Sequence, residues 1–261
     1  SLVALNTAMA NEGAFVYVKK GVKLDKLVQI LFVNTNHEES RMMQTRNLFV
    51  LEDFAEAQIF ERHQAFNQGH VFSNSVTESS VGNQAHFKHF KLQNDLDSSS
   101  MVDSTFVKQG ANSSALVDTF AFSGELVRNN LHFEFTGMHA EAHMDAITLL
   151  KGKSLVDHHT FVDHAVPHCQ SNQLYKGIYD EKSKGVFNGK VMVRKDAQKT
   201  NAFQQNNNLL LSDFSSIDTK PQLEIFADDV ACSHGCTIGQ LDEEALFYMQ
   251  TRGIPLKEAR A

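Results

Sequence analysis

The sequence contains no tryptophan, and it has only three prolines, three cysteines and four tyrosines among 261 residues. The scarcity of tryptophan and tyrosine leaves few aromatic platforms for sugars, because the 20 phenylalanines fall mostly at alternating positions that are typical of a core. The cysteine count is odd, and Cys232 and Cys236 lie four residues apart, which favours a ligand or redox role over a disulfide framework. These features predict a reducing compartment, which we take to be the cytoplasm.

Long apolar runs are absent as well. The run Leu209–Leu211 stops after a few residues, far short of the roughly 20 that span a bilayer. The sequence starts at Ser1 without the basic and apolar regions of a signal peptide, and we expect it to be part of a longer protein. The net charge of −7 provides no basic footprint for nucleic acid or for an anionic membrane surface.

The common fingerprints of enzymes are also missing. The sequence has no G-x-S-x-G motif, no P-loop, no G-x-G-x-x-G after a strand and no H-E-x-x-H. These absences argue against the hydrolases, nucleotide-binding enzymes and zinc proteases that carry such motifs. Aspartate and glutamate residues are scattered along the chain, so the residues alone leave a carbohydrate-active enzyme open.

Apolar and polar residues alternate in short runs from about residue 14 to 230, which is the pattern of strands with one buried face. Glycine, asparagine, serine and aspartate separate the runs, and we expect breaks at or near Gly185 and Gly189 and a turn at Asn206–Asn208. An all-β fold follows. A sandwich or a barrel stays open, but the even spacing and the asparagines favour a β-helix. The runs are residues 14–18, 29–33, 47–51, 86–92, 116–122, 131–135, 160–164, 186–187 with 191–193, and 223–226.

The pattern changes from strand to helix near the end of the sequence. Asp242 is a capping residue before an acidic first turn, and apolar residues follow at helical spacing, so we predict a helix from Asp242 to Arg252. Gly253 is expected to end this helix in the left-handed conformation, and Pro255 suits the first turn of a second helix that begins at Leu256.

Cys232, His234 and Cys236 form the strongest local signal for chemistry. On a strand these alternate residues share one face, and two thiolates with an imidazole suit zinc, copper(I) or an iron–sulfur cluster. A break at Gly235 or Gly239 would place Cys236 elsewhere. Free cysteines are also common as small buried apolar residues, so the spacing alone leaves a structural role open.

Histidines beside carboxylates form a second signal. Such pairs support metal ligands and proton transfer, but strands also accept histidine for structural reasons. We expect the structural role for most of them, with His168 and Cys169 as the strongest exceptions. The clusters are His158, His159, His164 and His168 with Asp157, Asp163 and Cys169, and His139 and His143 around Glu141.

The tail of the sequence resembles the SufB/SufD family of iron–sulfur cluster assembly proteins, and most closely its SufD branch. The resemblance is carried by residues 218–235, and continues through Thr237, Gly239 and the segments 246–248 and 252–254. Residues 185–189 and 206–210 match the same branch, and the match is dense from about residue 150 to 254.

The resemblance implies a right-handed parallel β-helix over residues 1–240, followed by the start of a C-terminal helical region at 241–261. It also implies that the N-terminal helical region of the family lies outside this chain. The expected function is that of a non-catalytic scaffold that pairs with a SufB-like paralogue and binds a SufC-like ATPase through the C-terminal helices. A β-helix carbohydrate-active enzyme and a metal-binding structural domain are the alternatives.

The resemblance also implies a site. Cys232 and His234 match positions that hold iron or a nascent iron–sulfur cluster transiently at the interface with SufB, whereas Cys236 matches a variable position. The SufB branch has an essential thiol at the place of Asn206, so the sulfur acceptor is expected on the partner. We expect no cofactor in the isolated chain, no nucleic acid, no membrane, and a homodimer through an uncovered strand edge as a further option.

Overall fold

The computed structural model describes residues 1–34, 40–65, 70–95 and 98–260, and strands dominate these ranges. Three helices accompany sixteen strands in this described part of the chain. The elements are α1 (Leu2–Met9), β1 (Phe15–Val18), β2 (Val28–Asn34), β3 (Arg41–Leu51), β4 (Glu56–Ala65), β5 (Val71–Val81), β6 (His86–Gln93), β7 (Ser99–Gln109), β8 (Ser114–Ala121), β9 (Leu126–Phe135), β10 (Glu141–Leu150), β11 (Leu155–His164), β12 (Gln170–Tyr179), β13 (Lys184–Val193), β14 (Thr200–Leu210), β15 (Ser216–Ile225), β16 (Val230–Gln240), α2 (Glu243–Thr251) and α3 (Leu256–Ala259).

The strands form two parallel sheets between which the chain winds in about seven turns. The odd-numbered strands β1 to β15 make one sheet, which we call sheet A, and the even-numbered strands β2 to β16 make the other, sheet B. Every turn therefore adds one strand to each sheet. This is a parallel β-solenoid, which confirms the all-β and β-helix predictions and excludes the antiparallel sandwich.

Inward side chains stack in columns that run along the solenoid. In sheet A, Phe133, Val162, Val191 and Leu223 occupy paired positions on four successive strands, and the first three are fully buried. Each fully buried side chain of this kind stabilises the fold by about 1.5–3 kcal/mol. The apolar residues that alternate along the sequence are thus the ones whose side chains form these inward columns.

One corner of the solenoid is built from residues in the left-handed conformation. Gln84, Asn112 and His168 have φ of 55°, 54° and 62°, and each lies just before a strand of sheet B. Their N–H groups donate to carbonyls of the following turn at 2.8, 2.9 and 2.9 Å, so the corners form a hydrogen-bonded ladder of their own. What distinguishes His168 is therefore its left-handed backbone conformation, which forms the turn before β12.

Two predictions about turns are wrong, because Gly189 lies inside β13 and Asn206–Asn208 lie inside β14. Gly185, the second residue of β13, lies next to the turn that precedes this strand, as predicted. The two glycines face inward, where a Cβ would collide with the ring of Tyr179 and with the side chain of Gln204. These small residues make room for a neighbour across the interior, a role that the sequence pattern cannot distinguish from a turn.

The interior also holds an ion pair. Lys91 Nζ donates to Asp103 Oδ1 and Oδ2 at 2.6 and 2.7 Å and to Thr105 Oγ1 at 2.5 Å, and all three residues are buried. The pair lines a cavity of about 10 Å³, which is room for about one water molecule. Charge inside the solenoid is thus tolerated because each group is fully hydrogen-bonded.

The C-terminal helices follow the sequence prediction. The Asp242 carboxylate accepts hydrogen bonds from the N–H groups of Glu244 and Ala245 and so caps α2, and Gly253 has φ of +85° after the helix ends. The second helix, α3, begins at Leu256 as predicted. The last strand ends at Gln240, but the division into domains at residue 240 stays a prediction. In the described ranges no helix combines the length and the apolar character needed to cross a membrane.

Replacing Lys91 with methionine should lower the free energy of unfolding by about 3–5 kcal/mol, because the Asp103 carboxylate would stay buried without its counter-charge. The double change Lys91→Met and Asp103→Leu should recover part of this loss, because the buried Glu61 carboxylate opposite Lys91 also loses its counter-charge. Thermal and urea unfolding followed by circular dichroism measure both effects. Lys23→Met is the matched control, since the Lys23–Glu56 ion pair is exposed and its loss should leave the stability close to that of the wild type. Equal stability of Lys91→Met and the wild type would contradict this account.

Candidate functional site

The candidate site lies on β16, the last strand of sheet B. Among the described strands β16 pairs only with β14, so one of its edges is uncovered. The strand runs unbroken through Gly235 and Gly239, and Cys232, His234 and Cys236 therefore share its inward face. The alternation predicted from the sequence is confirmed, and the break considered at the glycines is wrong.

The inward-facing residues are buried on β14 but accessible to solvent on β16. Ala202, Gln204 and Asn206 of β14 stand directly opposite the three site residues, and all three are buried because β16 covers them. On β16 no further strand in the described part of the chain covers the face. Its cysteines and histidine are consequently accessible from the end of the solenoid.

Cys232 and Cys236 differ in their surroundings. Cys232 is half-buried against the core, and burial raises the pKa of its thiol, so the thiol stays protonated until a metal or another cation displaces the proton. Cys236 is exposed, and its Sγ lies 2.8 Å from Oγ1 of Thr219 on β15. The thiol of Cys236 thus contacts the opposite sheet, and that of Cys232 the interior.

Within the ranges that the structure describes, no three His, Cys, Asp or Glu side chains come together as a metal site. The three-ligand arrangement suggested by the spacing is therefore not formed by this chain. Cys232 and His234 offer one thiol and one imidazole on adjacent inward positions of an open strand. This donor set suits iron, but it supplies only part of a coordination shell.

The histidines predicted as a cluster are dispersed by the winding of the chain. His158 and His164 point inward: the ring of His158 is hydrogen-bonded through Nε2 to Oγ1 of Thr148 at 3.0 Å, and that of His164 through Nε2 to Oγ of Ser171 at 2.9 Å. Burial lowers the pKa of each imidazole to about 4, and the nearby His159 adds to the effect at His158. Both rings are therefore neutral core residues.

The other members of the cluster lie on the outside, at a corner or in the core. His159 Nε2 is 3.0 Å from Oδ1 of Asp157 on the outer face of sheet A. Cys169 is buried, with its thiol donating to the carbonyl of Gly137 at 3.4 Å, and burial raises its pKa. The structural reading of these residues is supported, including for His168 and Cys169. The remaining arrangements are the stacked rings of His139 and His168, the Asp163–Arg194 ion pair, and Glu141 and His143 on the outer face of β10.

Gln204 is a residue of the site that the sequence analysis did not single out. It is buried directly beneath His234, on the paired position of β14. The signal that could have found it is the spacing of 30 residues between the two, which equals one turn of the solenoid at this point.

Two family models match the chain. The SUF system FeS cluster assembly, SufBD core domain, matches residues 32–261, and the SufBD protein N-terminal region matches residues 1–30. The second match, which includes α1, differs from the expectation that the N-terminal region of the family lies outside this chain.

Curated relatives match over nearly the whole chain. An iron–sulfur cluster assembly SufBD family protein of Synechocystis sp. is 35% identical over 98% of this chain and 58% of its own length. The iron–sulfur cluster assembly protein SufD of Escherichia coli is 31% identical over 98% of this chain and 61% of its own length. Protein ABCI7, chloroplastic, of Arabidopsis thaliana is 34% identical over 98% and 56%. The chain thus spans about three fifths of the length of these relatives.

Acid should destabilise the fold through His158 and His164. In the unfolded chain these imidazoles bind a proton near pH 6.5, whereas the buried rings resist protonation down to about pH 4. Their contribution to stability is therefore complete above pH 6.5 and is lost as the pH falls toward 4, by up to about 1.4 kcal/mol per pH unit for each histidine.

The double variant His158→Gln and His164→Gln isolates this contribution. Urea unfolding midpoints measured between pH 7 and 4.5 should fall less steeply for the double variant than for the wild type, with the two single variants in between. Parallel profiles for the wild type and the double variant would show that the buried rings are not the source of the acid sensitivity.

Proposed function

Because this chain belongs to the SufBD family of iron–sulfur cluster assembly proteins, we propose that it is a non-catalytic scaffold subunit on which iron–sulfur clusters are built. The observation that carries the proposal is the placement of Cys232 and His234 side by side on the inward face of the uncovered strand β16. Iron and the nascent cluster are cargo in this function. The chain offers ligands to the cargo and releases it.

The partner that completes the site is a SufB-like paralogue. The uncovered edges of β15 and β16 leave backbone donors and acceptors of the last turn for another strand, and strand addition is the natural way to cover such an edge. A paralogue with the same solenoid would bring its own open end against this one. The remaining ligands and the thiol that accepts sulfur would come from that partner, since Asn206 stands where a thiol would be needed here.

A SufC-like ATPase is proposed to bind the C-terminal helices. On α2, Leu246 is buried, whereas Phe247 and Tyr248 are 67% and 59% exposed. Two neighbouring aromatic side chains on a short surface helix form an apolar contact area of the kind that partner proteins cover. Movement of the ATPase would then reach β16 through the short connection between Gln240 and Glu243.

A site divided between two chains suits transient binding. When the chains are together, iron displaces the proton of the Cys232 thiol and gains the His234 imidazole as a second ligand from this side. When rotation of the subunits separates the two halves, neither half retains a full coordination shell, and the cluster is released. A closed site within one chain would hold its metal permanently.

His234→Ala and Cys232→Ser should each lower the activity of a reporter iron–sulfur enzyme about tenfold or more in cells that lack a second assembly pathway. Cys236→Ser is the matched control: it removes a thiol two residues away on the same face, and it should leave the reporter activity close to wild type. Both loss variants should still co-purify with SufB-like and SufC-like partners. Full reporter activity of His234→Ala would overturn the proposed site.

A further inference from the structure

Gln204 carries a carboxamide without any hydrogen-bond partner. The residue is 1% exposed, and both Nε2 and Oε1 are unpartnered. Among the described residues it is the one asparagine or glutamine for which both amide atoms are buried and unpartnered. Leaving such a group unpaired costs stability, so a buried amide of this kind calls for an explanation beyond packing.

Among the described residues, the other buried amide side chains each have at least one hydrogen-bond partner. Gln93 and Asn129 exchange two hydrogen bonds, from Nε2 of Gln93 at 2.6 Å and from Nδ2 of Asn129 at 3.0 Å. Gln173, one turn deeper than Gln204 on the paired position of β12, accepts a hydrogen bond from Oγ1 of Thr160 at 2.7 Å. Among these interior amides, the one without any partner is therefore the one that lies in the turn beneath the candidate site.

The Gln204 side chain reaches toward the opposite sheet, and the last turn lies next to it along the solenoid. Its side chain crosses the interior to Gly189 on β13, where an added Cβ would come within 2.2 Å of Nε2. In the last turn, Pro221 stands opposite Gly189 and His234 stands opposite Gln204. The proline ring carries no hydrogen-bonding group, so His234 is the polar side chain paired with Gln204.

We propose that Gln204 is a positioning residue for His234. Its Oε1 accepts a hydrogen bond from one ring N–H of the imidazole and so fixes which ring nitrogen, with its lone pair, faces the iron or cluster cargo. Paired residues on neighbouring strands lie about 4.8 Å apart, within reach of an amide and an imidazole, and His234 is an exposed residue of the inward face. The inference rests on the proposed function of His234.

The physical reason is that a neutral imidazole can bind a metal through one nitrogen only if the other carries the proton. An acceptor fixed behind the ring selects that tautomer and raises the basicity of the ligand nitrogen. An amide kept unpaired inside a rigid solenoid is ready for this task, at a cost in stability that is tolerated because the site needs it.

Gln204→Met tests the inference, because methionine has the same length without a hydrogen-bonding amide. The melting temperature should stay equal or rise, since the change removes unpaired polar atoms from the interior. The ratio of the two His234 tautomers, read from ¹⁵N chemical shifts in histidine-labelled protein and assigned with His234→Asn, should change. Reporter activity in cells should fall about tenfold. Gly189→Ala should change the tautomer ratio in the same direction, because its Cβ displaces the Gln204 amide.

Gln173→Met is the matched control, a buried glutamine one turn away from the site. It should leave the His234 signals and the reporter activity unchanged. A lower melting temperature of Gln204→Met with unchanged His234 signals would overturn the inference, as expected if a buried water were the partner of the amide. Loss of activity in His234→Ala with full activity in Gln204→Met would overturn the inference alone, whereas full activity in His234→Ala would overturn the proposed function.

Discussion

Each turn of this solenoid is covered by the turn that follows it, and this dependence organises the whole molecule. An inward side chain such as Val162 is buried because paired residues lie on the strands before and after it. The condition fails at the last turn, where β15 and β16 have a neighbour on one side only among the described strands. The same columns that form a core elsewhere therefore become an accessible surface at this end. Cys232 and His234 occupy positions that would be core in an earlier turn, and their location in the last turn makes them candidate site residues.

The sequence predicts many of the strands with clean alternation and misses others, among them strands whose inward positions are largely polar. β9 and β13 were expected, because their apolar residues alternate. β5 and β7 were not, since most of their inward positions hold polar side chains such as Ser75 and Asp103. On the outer side of β3 and β5, α1 adds a further contact: Asn6 Nδ2 donates to the carbonyls of Thr45 and Asn74 at 2.9 Å. No local pattern reveals that a helix from the start of the chain will cover this face.

The site was predictable in part, for the same reason. Period-two spacing places Cys232, His234 and Cys236 on one face, and the resemblance to the SufB/SufD family is confirmed by the family models. The dispersal of His158, His159 and their neighbours was harder to foresee, because adjacent residues of a strand point to opposite faces. Gln204 could not be singled out without the register, since only the register shows that it is paired with His234 one turn away. The spacing of residues along one strand thus predicts which face of the sheet each side chain occupies. The number of residues in a turn determines which residues of neighbouring strands are paired.

The solenoid also sets a distance. About seven turns, each adding the ~4.8 Å spacing of neighbouring strands, give a column of roughly 34 Å between the end beside β1 and the end at β16. Inserting or deleting part of a turn would move the inward side chains out of their columns, so only whole turns can be gained or lost. The length of the solenoid therefore changes in discrete steps. The solenoid therefore keeps anything bound at the β1 end at a fixed distance from Cys232 and His234.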